Sequence, residues 1–279
     1  LFQFNVRKFS TYHGSDFTMP NGIFSLISCF FSDVNIFVSP KIAPFALNNC
    51  FVLPCGIDLD KFFPLKDTWK EKENVLFSNG RKIYRKNINI LFSGSFNNKI
   101  KNPQLAKKAI SNLDKDLDID LIELKDFERN EVNQLMNICN LLLMTSYSEG
   151  SPQVVKEAMS CNCPVVSTNV GSVKELIEDL DNCFVVESDE KAISSAIEKI
   201  LSSKARSNGR NFIRSYSISN VAAKVTATLF YLLVGIMFYN TAQIGGAIIG
   251  GAAESLSALE EVSQRGQDLI DRVESGFVP

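Results

Sequence analysis

Short apolar runs of strand length alternate with segments of helical period along most of this chain. Ile23 to Phe31 has the length and spacing of a helix, Val34 to Val38 reads as a strand, Ser39 and Pro40 cap a short helix through Leu47, and Phe51 to Leu53 is a second strand. A tract with two prolines and a glycine, Pro54 to Pro64, interrupts the alternation and reads as a linker. Val75 to Ser78 and Ile90 to Ser93 are near-duplicates too short to be a repeat, and the stretch between them reads as an insertion. From Asn87 a second series begins. Its strands are Ile88 to Phe92, Ile119 to Leu124, Leu141 to Thr145, Pro164 to Ser167 and Cys183 to Val186. Its helices are Pro103 to Leu113, Glu128 to Cys139, one that starts at Pro152, one opened by Ser172-Val-Lys-Glu175 as a capping box, and Lys191 to Ser202. Such alternation predicts an α/β fold with a Rossmann-like, doubly wound parallel sheet covered on both faces. In that fold the ligand crevice lies outside the carboxyl ends of the strands.

Candidate chemistry gathers at those ends. Strand Leu141 to Thr145 runs into Gly150-Ser151-Pro152, with Ser151 expected as the helix cap and Pro152 at the first helical position. The N–H groups of Gln153 and Val154 then face whatever lies beyond the strand, and a helix N-terminus attracts anions, phosphate above all. Glu149 and Glu157 stand eight positions apart across this helix start, Glu149 in the loop at the mouth and Glu157 one to two turns along. Two carboxylates beside a phosphate-binding end point to recognition of ribose or sugar hydroxyls.

Composition narrows the class. The 279 residues are 45% hydrophobic and 22% charged, ordinary for a globular protein of one or two domains. A net charge of −2 provides no global positive field for nucleic acid. Lys and Arg are locally dense at Lys70 to Lys72, Arg81 to Lys86 and Lys99 to Lys108, of which the first two clusters read mainly as solvated loops and helix faces. Seven scattered cysteines make no disulfide framework in a chain of this length, which predicts a reducing, cytoplasmic setting. Cys161-Asn-Cys163 lacks metal-binding partners, and the single histidine, His13, excludes Cys/His zinc chemistry. Leu1 to Phe9 has no cationic start followed by a long apolar run, so no signal peptide is expected.

The Glu149-to-Glu157 spacing, followed by Ala158-Met159 and by Cys163-Pro-Val-Val-Ser167-Thr-Asn-Val-Gly171, resembles the retaining glycosyltransferases of family 4, which have the two-domain GT-B fold. Further segments in the family's order extend the likeness over residues 10 to 225. The resemblance implies a partial N-terminal, acceptor-side domain and linker over 1–60, a nucleotide-sugar-binding C-terminal domain over 61–225, and an atypical tail over 226–279. Pro54 to Asp58 is similar to the family's interdomain hinge, with Cys55 in its second place, and Tyr216 to Asn220 to its closing helix. The glycine-rich loop and first strands of the family's N-terminal domain have no counterpart, which implies an N-terminally shortened chain or a fragment.

The resemblance also implies roles. Gly94 and Lys101 match the loop that holds the donor diphosphate, but Ser95 stands where the family has an arginine; Lys99 or Arg85 could replace that cation. Glu149 contacts the donor sugar and Glu157 the ribose, with backbone groups around Gly150, Ser151, Gln153 and Val154 facing sugar or diphosphate. His13, within Tyr12 to Asp16, matches a histidine at the crevice edge. The implied activity is retaining transfer of a sugar from a nucleoside diphosphate sugar, such as a UDP-sugar, to a glycan or lipid-linked acceptor, as in polysaccharide biosynthesis. No metal or further cofactor is implied. Two other readings compete: a module that binds nucleotide sugar without turnover, which Ser95 favours, and a sugar-nucleotide epimerase, against which the Glu149-to-Glu157 spacing speaks.

Residues 225 to 253 carry no charge, long enough for a membrane span, but Asn240, Thr241, Gln243 and glycine pairs interrupt the run. A span, peripheral association with the inner face of a membrane or with a partner, and a segment packed on the domain or foreign to the fold all remain open. Leu256 to Val273 adds a helical apolar stripe weakened by Gly266.

Overall fold

A computed structural model of the chain describes residues 8–13, 21–39, 50–66 and 73–230, and residue 234. The chain divides into two compact units, residues 1–214 and 215–279. The helix expected from Ser39 to Leu47, the cations at 70–72 and the tail beyond 230, residue 234 excepted, lie outside the described residues.

The first unit opens with a three-stranded parallel sheet in the order β1 (Phe9–Tyr12), β2 (Val34–Phe37), β3 (Cys50–Val52), with helix α1 (Asn21–Phe31) joining β1 to β2. Tyr12 stacks on Phe37 with ring centroids 5.0 Å apart, and Cys29 of α1 is buried against them. The linker read over 54–64 is not a loose tether. Ile57 and Phe62 are buried, Phe63 N–H donates to Asn133 Oδ1 at 3.1 Å, and Arg210 Nη1 donates to the Phe62 carbonyl at 2.7 Å. A prolyl stretch without ladder partners must find its hydrogen bonds on side chains, and here it does.

The presumed insertion is an antiparallel hairpin of β4 (Asn74–Leu76) and β5 (Lys82–Tyr84). Its turn uses Gly80 at φ +79°, a conformation that side-chain-bearing residues rarely adopt.

The larger sheet has five parallel strands in the order β10-β9-β8-β6-β7, namely β6 (Ile88–Phe92), β7 (Ile119–Glu123), β8 (Leu141–Met144), β9 (Val165–Thr168) and β10 (Cys183–Val186). The intervening helices are α2 (Pro103–Ser111), α3 (Arg129–Ile138), α4 (Gln153–Ser160), α5 (Val173–Ile177) and α6 (Glu190–Ser203), followed by α7 (Gly209–Ile213). Side chains of one strand alternate between faces. Ile90, Phe92, Leu141, Leu143 and Val166 therefore share one face, where they form a core with Ala106 and Ala109 of α2 and Ile193, Ala196 and Ile197 of α6. Leu91, Leu142 and Met144 point the other way and are equally buried, and α3, α4 and α7 pack among themselves. This is why the central strands read as continuous apolar runs.

Two caps differ from expectation. Helix α4 starts at Gln153 with Pro152, in extended conformation, as its cap residue, so Ser151 does not cap it. Ser172 precedes α5 without a side-chain cap bond, because its backbone (φ −91°, ψ 20°) is already close to helical and does not present the hydroxyl to the third residue. The reach-back bond of a capping box occurs instead on α3, where Glu131 accepts from Glu128 N–H at 2.9 Å.

In the second unit the described residues form a helix over 218–230, with Ile218 and Phe230 exposed. Among the described residues no helix is long and apolar enough to cross a membrane.

Candidate functional site

From β6 the chain moves outward to β7, then returns to β8 on the other side of β6. The strand order reverses there, so the loops after β6 and β8 leave in opposite directions and a crevice opens between them. Loop 93–102 and loop 145–152 are those two segments. Buried Thr145 ties them together, its hydroxyl donating to the carbonyls of Lys101 (3.0 Å) and Asn102 (2.9 Å). Asn102, at φ +51°, ends a 3-10 turn over Lys99–Lys101 and caps α2 through Leu105 N–H, which aims Lys101 back toward β8.

A cleft of about 900 Å³ occupies this position. One wall comes from the loops of the larger sheet: Lys99 to Lys101, and Tyr147 through Gln153. The other is His13, Val38 and Cys55 from the smaller sheet and the segment after it, with His13 Nδ1 at 4.0 Å from Cys55 Sγ. At the cleft's floor Lys101 Nζ meets Glu149 Oε1 at 2.6 Å, and Ser146 Oγ donates to the same oxygen at 2.7 Å. Both side chains of the ion pair are mostly buried, 21% and 15% exposed, so water screens it less than a surface pair. Helix α4 begins at the same wall, with the first-turn N–H groups of Gln153 and Val154 preceding its first intrahelical bond.

The cleft thus brings together His13, Lys101, Glu149, Gly150, Ser151 and Gln153. Gly94 lies beneath: a Cβ there would sit 3.0 Å from Lys101 Cγ, so its role is to let the lysine stem cross the backbone closely. Glu157 and Val154 are not part of the lining. Glu157 is buried on α4 and paired with Arg129 Nη2 at 2.6 Å, at the start of α3. Burial pushes its carboxyl above the usual range, and the Arg129 charge opposes that shift. Of the cations that could stand in for the arginine missing at position 95, Lys99 lines the cleft, whereas Arg85 lines a separate 410 Å³ pocket with Asn140 and Arg206 at the amino ends of the strands. Ser95 is not part of the lining and donates to Glu123 Oε2 at 3.2 Å.

Three contributors have no local signal in sequence. Arg129 meets Glu157 only because α3 and α4 pack side by side. Tyr147, 68% exposed, presents an aromatic ring at the rim. Gly171, at φ +53°, lies so close to the Glu149 loop that a Cβ would collide with the Gly150 carbonyl, and its neighbour Ser172 donates its N–H to that carbonyl at 2.9 Å. The position of Glu149 is propped from the loop after β9. Among the described residues no group of three or more His, Cys, Asp and Glu side chains is placed to hold a metal ion.

Residues 123–216 match the family described as glycosyl transferases, group 1. An uncharacterised glycosyltransferase of Methanocaldococcus jannaschii is 29% identical over 137 residues, covering 47% of this chain and 36% of that protein. D-inositol 3-phosphate glycosyltransferase of Paenarthrobacter aurescens is 28% identical over 163 residues, 48% of this chain and 38% of that protein. The matched part thus spans little more than a third of either relative. Among solved structures, sucrose-phosphate synthase of Thermosynechococcus elongatus superposes with a TM-score of 0.67 at 18% identity, over 83% of this chain and 69% of that one. Anabaena HepE, solved with UDP and glucose, gives 0.62 at 16% identity, over 79% and 70%. These likenesses show that the fold, a parallel sheet with its cleft at the switch point, is one shared with sucrose-phosphate synthase and HepE, and residues 123–216 match the glycosyl transferases group 1 family.

Proposed function

We propose that this chain binds a nucleoside diphosphate sugar in the cleft between the β6 and β8 loops and supports its transfer, with retention of configuration, to a glycan or lipid-linked acceptor. The observation that carries the reading is the Lys101–Glu149 pair, held beside the start of α4 at the strand-order reversal. The solved structures of HepE with UDP and with UDP-glucose support a uridine donor.

The chemistry follows from what develops as the glycosidic bond breaks. The leaving diphosphate gains negative charge, and preorganised donors aimed at it lower the barrier. Lys101, together with the α4 amides and Lys99, is the group to meet that charge. When diphosphate takes the ammonium, the Glu149 carboxylate is released to accept hydrogen bonds from sugar hydroxyls. His13, on the opposite wall, faces the sugar or the acceptor. In this reading cations and helix amides neutralise the leaving group without a bound metal, and the donor is the sole small molecule required. Glu157 can serve the ribose only if Arg129, 60% exposed, swings aside on binding.

Calorimetric titration with UDP and UDP-glucose tests the proposal: both are expected to bind, and the heat is expected to vanish when Lys101 and Glu149 are replaced together. Absence of binding by the unaltered chain contradicts it. A second reading, binding without turnover, is favoured by Ser95 lying against Glu123 where the family has a cation. Release of free glucose from UDP-glucose, or its transfer, decides against that alternative.

A further inference from the structure

Helix α4 does more than end at the cleft. Gln153 and Lys156, three positions apart and so on one face of the helix, reach the two successive carbonyls that follow β3. Gln153 Nε2 donates to the Gly56 carbonyl at 2.7 Å, and Lys156 Nζ to the Cys55 carbonyl at 2.7 Å. Lys156 has no exposed surface at all. Burying an ammonium is costly unless its hydrogen bonds are met, and the Cys55 carbonyl meets one of them, a bond that a methionine of similar size would forgo. That carbonyl belongs to the irregular stretch 53–56, between β3 and the single bridge residue Ile57. Cys55 in turn stands beside His13, and both line the cleft opposite the α4 N-terminus.

We infer that Lys156 is a positioning residue, which, with Gln153, holds the Cys55–Gly56 backbone to α4 and thereby sets the width of the cleft between the His13 wall and the Glu149 wall. The inference rests on the donor-cleft reading for its functional consequence but not for its geometry. Severing the Lys156 bond frees the segment that carries Cys55, so the donor meets a cleft whose second wall is no longer fixed, and affinity falls through lost preorganisation.

Cys55 reports on the wall directly, since it is half-buried while five of the other six thiols are fully buried and Cys50 lies within β3. Lys156→Met removes the donor and keeps the stem, whereas Lys156→Arg keeps a cationic donor. In Lys156→Met, alkylation of Cys55, followed by mass spectrometry with Cys50 as internal reference, is expected to accelerate at least tenfold, and UDP-glucose affinity to fall about tenfold. Lys156→Arg is expected to restore both in part. Unchanged Cys55 reactivity in a folded Lys156→Met protein overturns the inference. If the unaltered chain binds no UDP-glucose, the donor reading fails while the alkylation result still decides the clamp. Should Lys156→Met not fold, hydrogen exchange of the unaltered chain decides: amides of residues 55–58 are expected to open in step with the first turn of α4, and exchange there a hundredfold faster contradicts the clamp.

Discussion

In the proposed function Lys101 is the residue on which the chemistry turns, and its partner in the cleft is the Glu149 carboxylate. Lys101→Ala is expected to weaken UDP by about 1.5–3 kcal/mol, the range for a hydrogen bond to a charged group, and uridine by much less. Equal losses for the two ligands, measured by calorimetry, would show that the lysine does not meet the diphosphate. Glu157 poses the sharper question. If it takes the ribose hydroxyls after Arg129 moves, Glu157→Gln weakens both UDP and uridine by about 1–3 kcal/mol; unaltered affinity for both would leave it as an internal partner of Arg129 alone. Lys156 adds a pH dependence whose sign is fixed by burial. Burial pulls its pKa down to about 8 in the folded chain, against about 10.4 when unfolded. Below pH 8 both states hold the proton and the folded state bears the whole burial cost; above that the folded state sheds it first, so stability rises toward pH 10. Urea unfolding is expected to show the natural chain gaining about 2 kcal/mol on Lys156→Met between pH 7 and pH 9.5. A constant difference across that window would mean that the ammonium is not destabilised by its site.

At the scale of elements, the sequence made most of the frame legible because the central strands are apolar throughout and the helices have clear periods. Ile88 to Phe92, Leu141 to Met144 and the helices between them lie within a residue or two of their expected bounds. Caps are less legible, since Ser151 and Ser172 have capping side chains, yet α4 takes Pro152 as its cap residue and Ser172 has a backbone already close to helical. Of the site, the residues carried on one loop or one helix turn were legible, Glu149, Gly150, Ser151 and Gln153 among them. Contacts that depend on packing were not. The Glu157–Arg129 pair joins two helices 28 positions apart in sequence, and the clamp on Cys55 spans 101 positions. Gly171 shows the same limit: its presence in sequence says turn, but only the fold shows that it props the Glu149 loop. Gly171→Ala is expected to cost about 1–3 kcal/mol from left-handed strain alone, and more from the collision with Gly150. Its UDP affinity should fall as the loop shifts, even where the protein remains folded. A variant that unfolds at lower urea yet binds UDP unchanged would separate the glycine from the site.

At the scale of the whole molecule, the strand order of the larger sheet reverses between β6 and β8, and cations and a helix start gather at that reversal. A second pocket, of about 410 Å³ with Arg85 and Arg206 in its lining, lies at the amino ends of the strands, so the placement of the donor is open to direct contradiction. The measurement that decides is a hydrogen-exchange footprint of the unaltered chain with and without saturating UDP-glucose. Protection is expected over loop 93–102, loop 145–152 and the first turn of α4, with residues 137–140 and 204–206 unchanged. Protection confined to 137–140 and 204–206, or none anywhere under conditions where UDP-glucose is bound, would contradict the central claim.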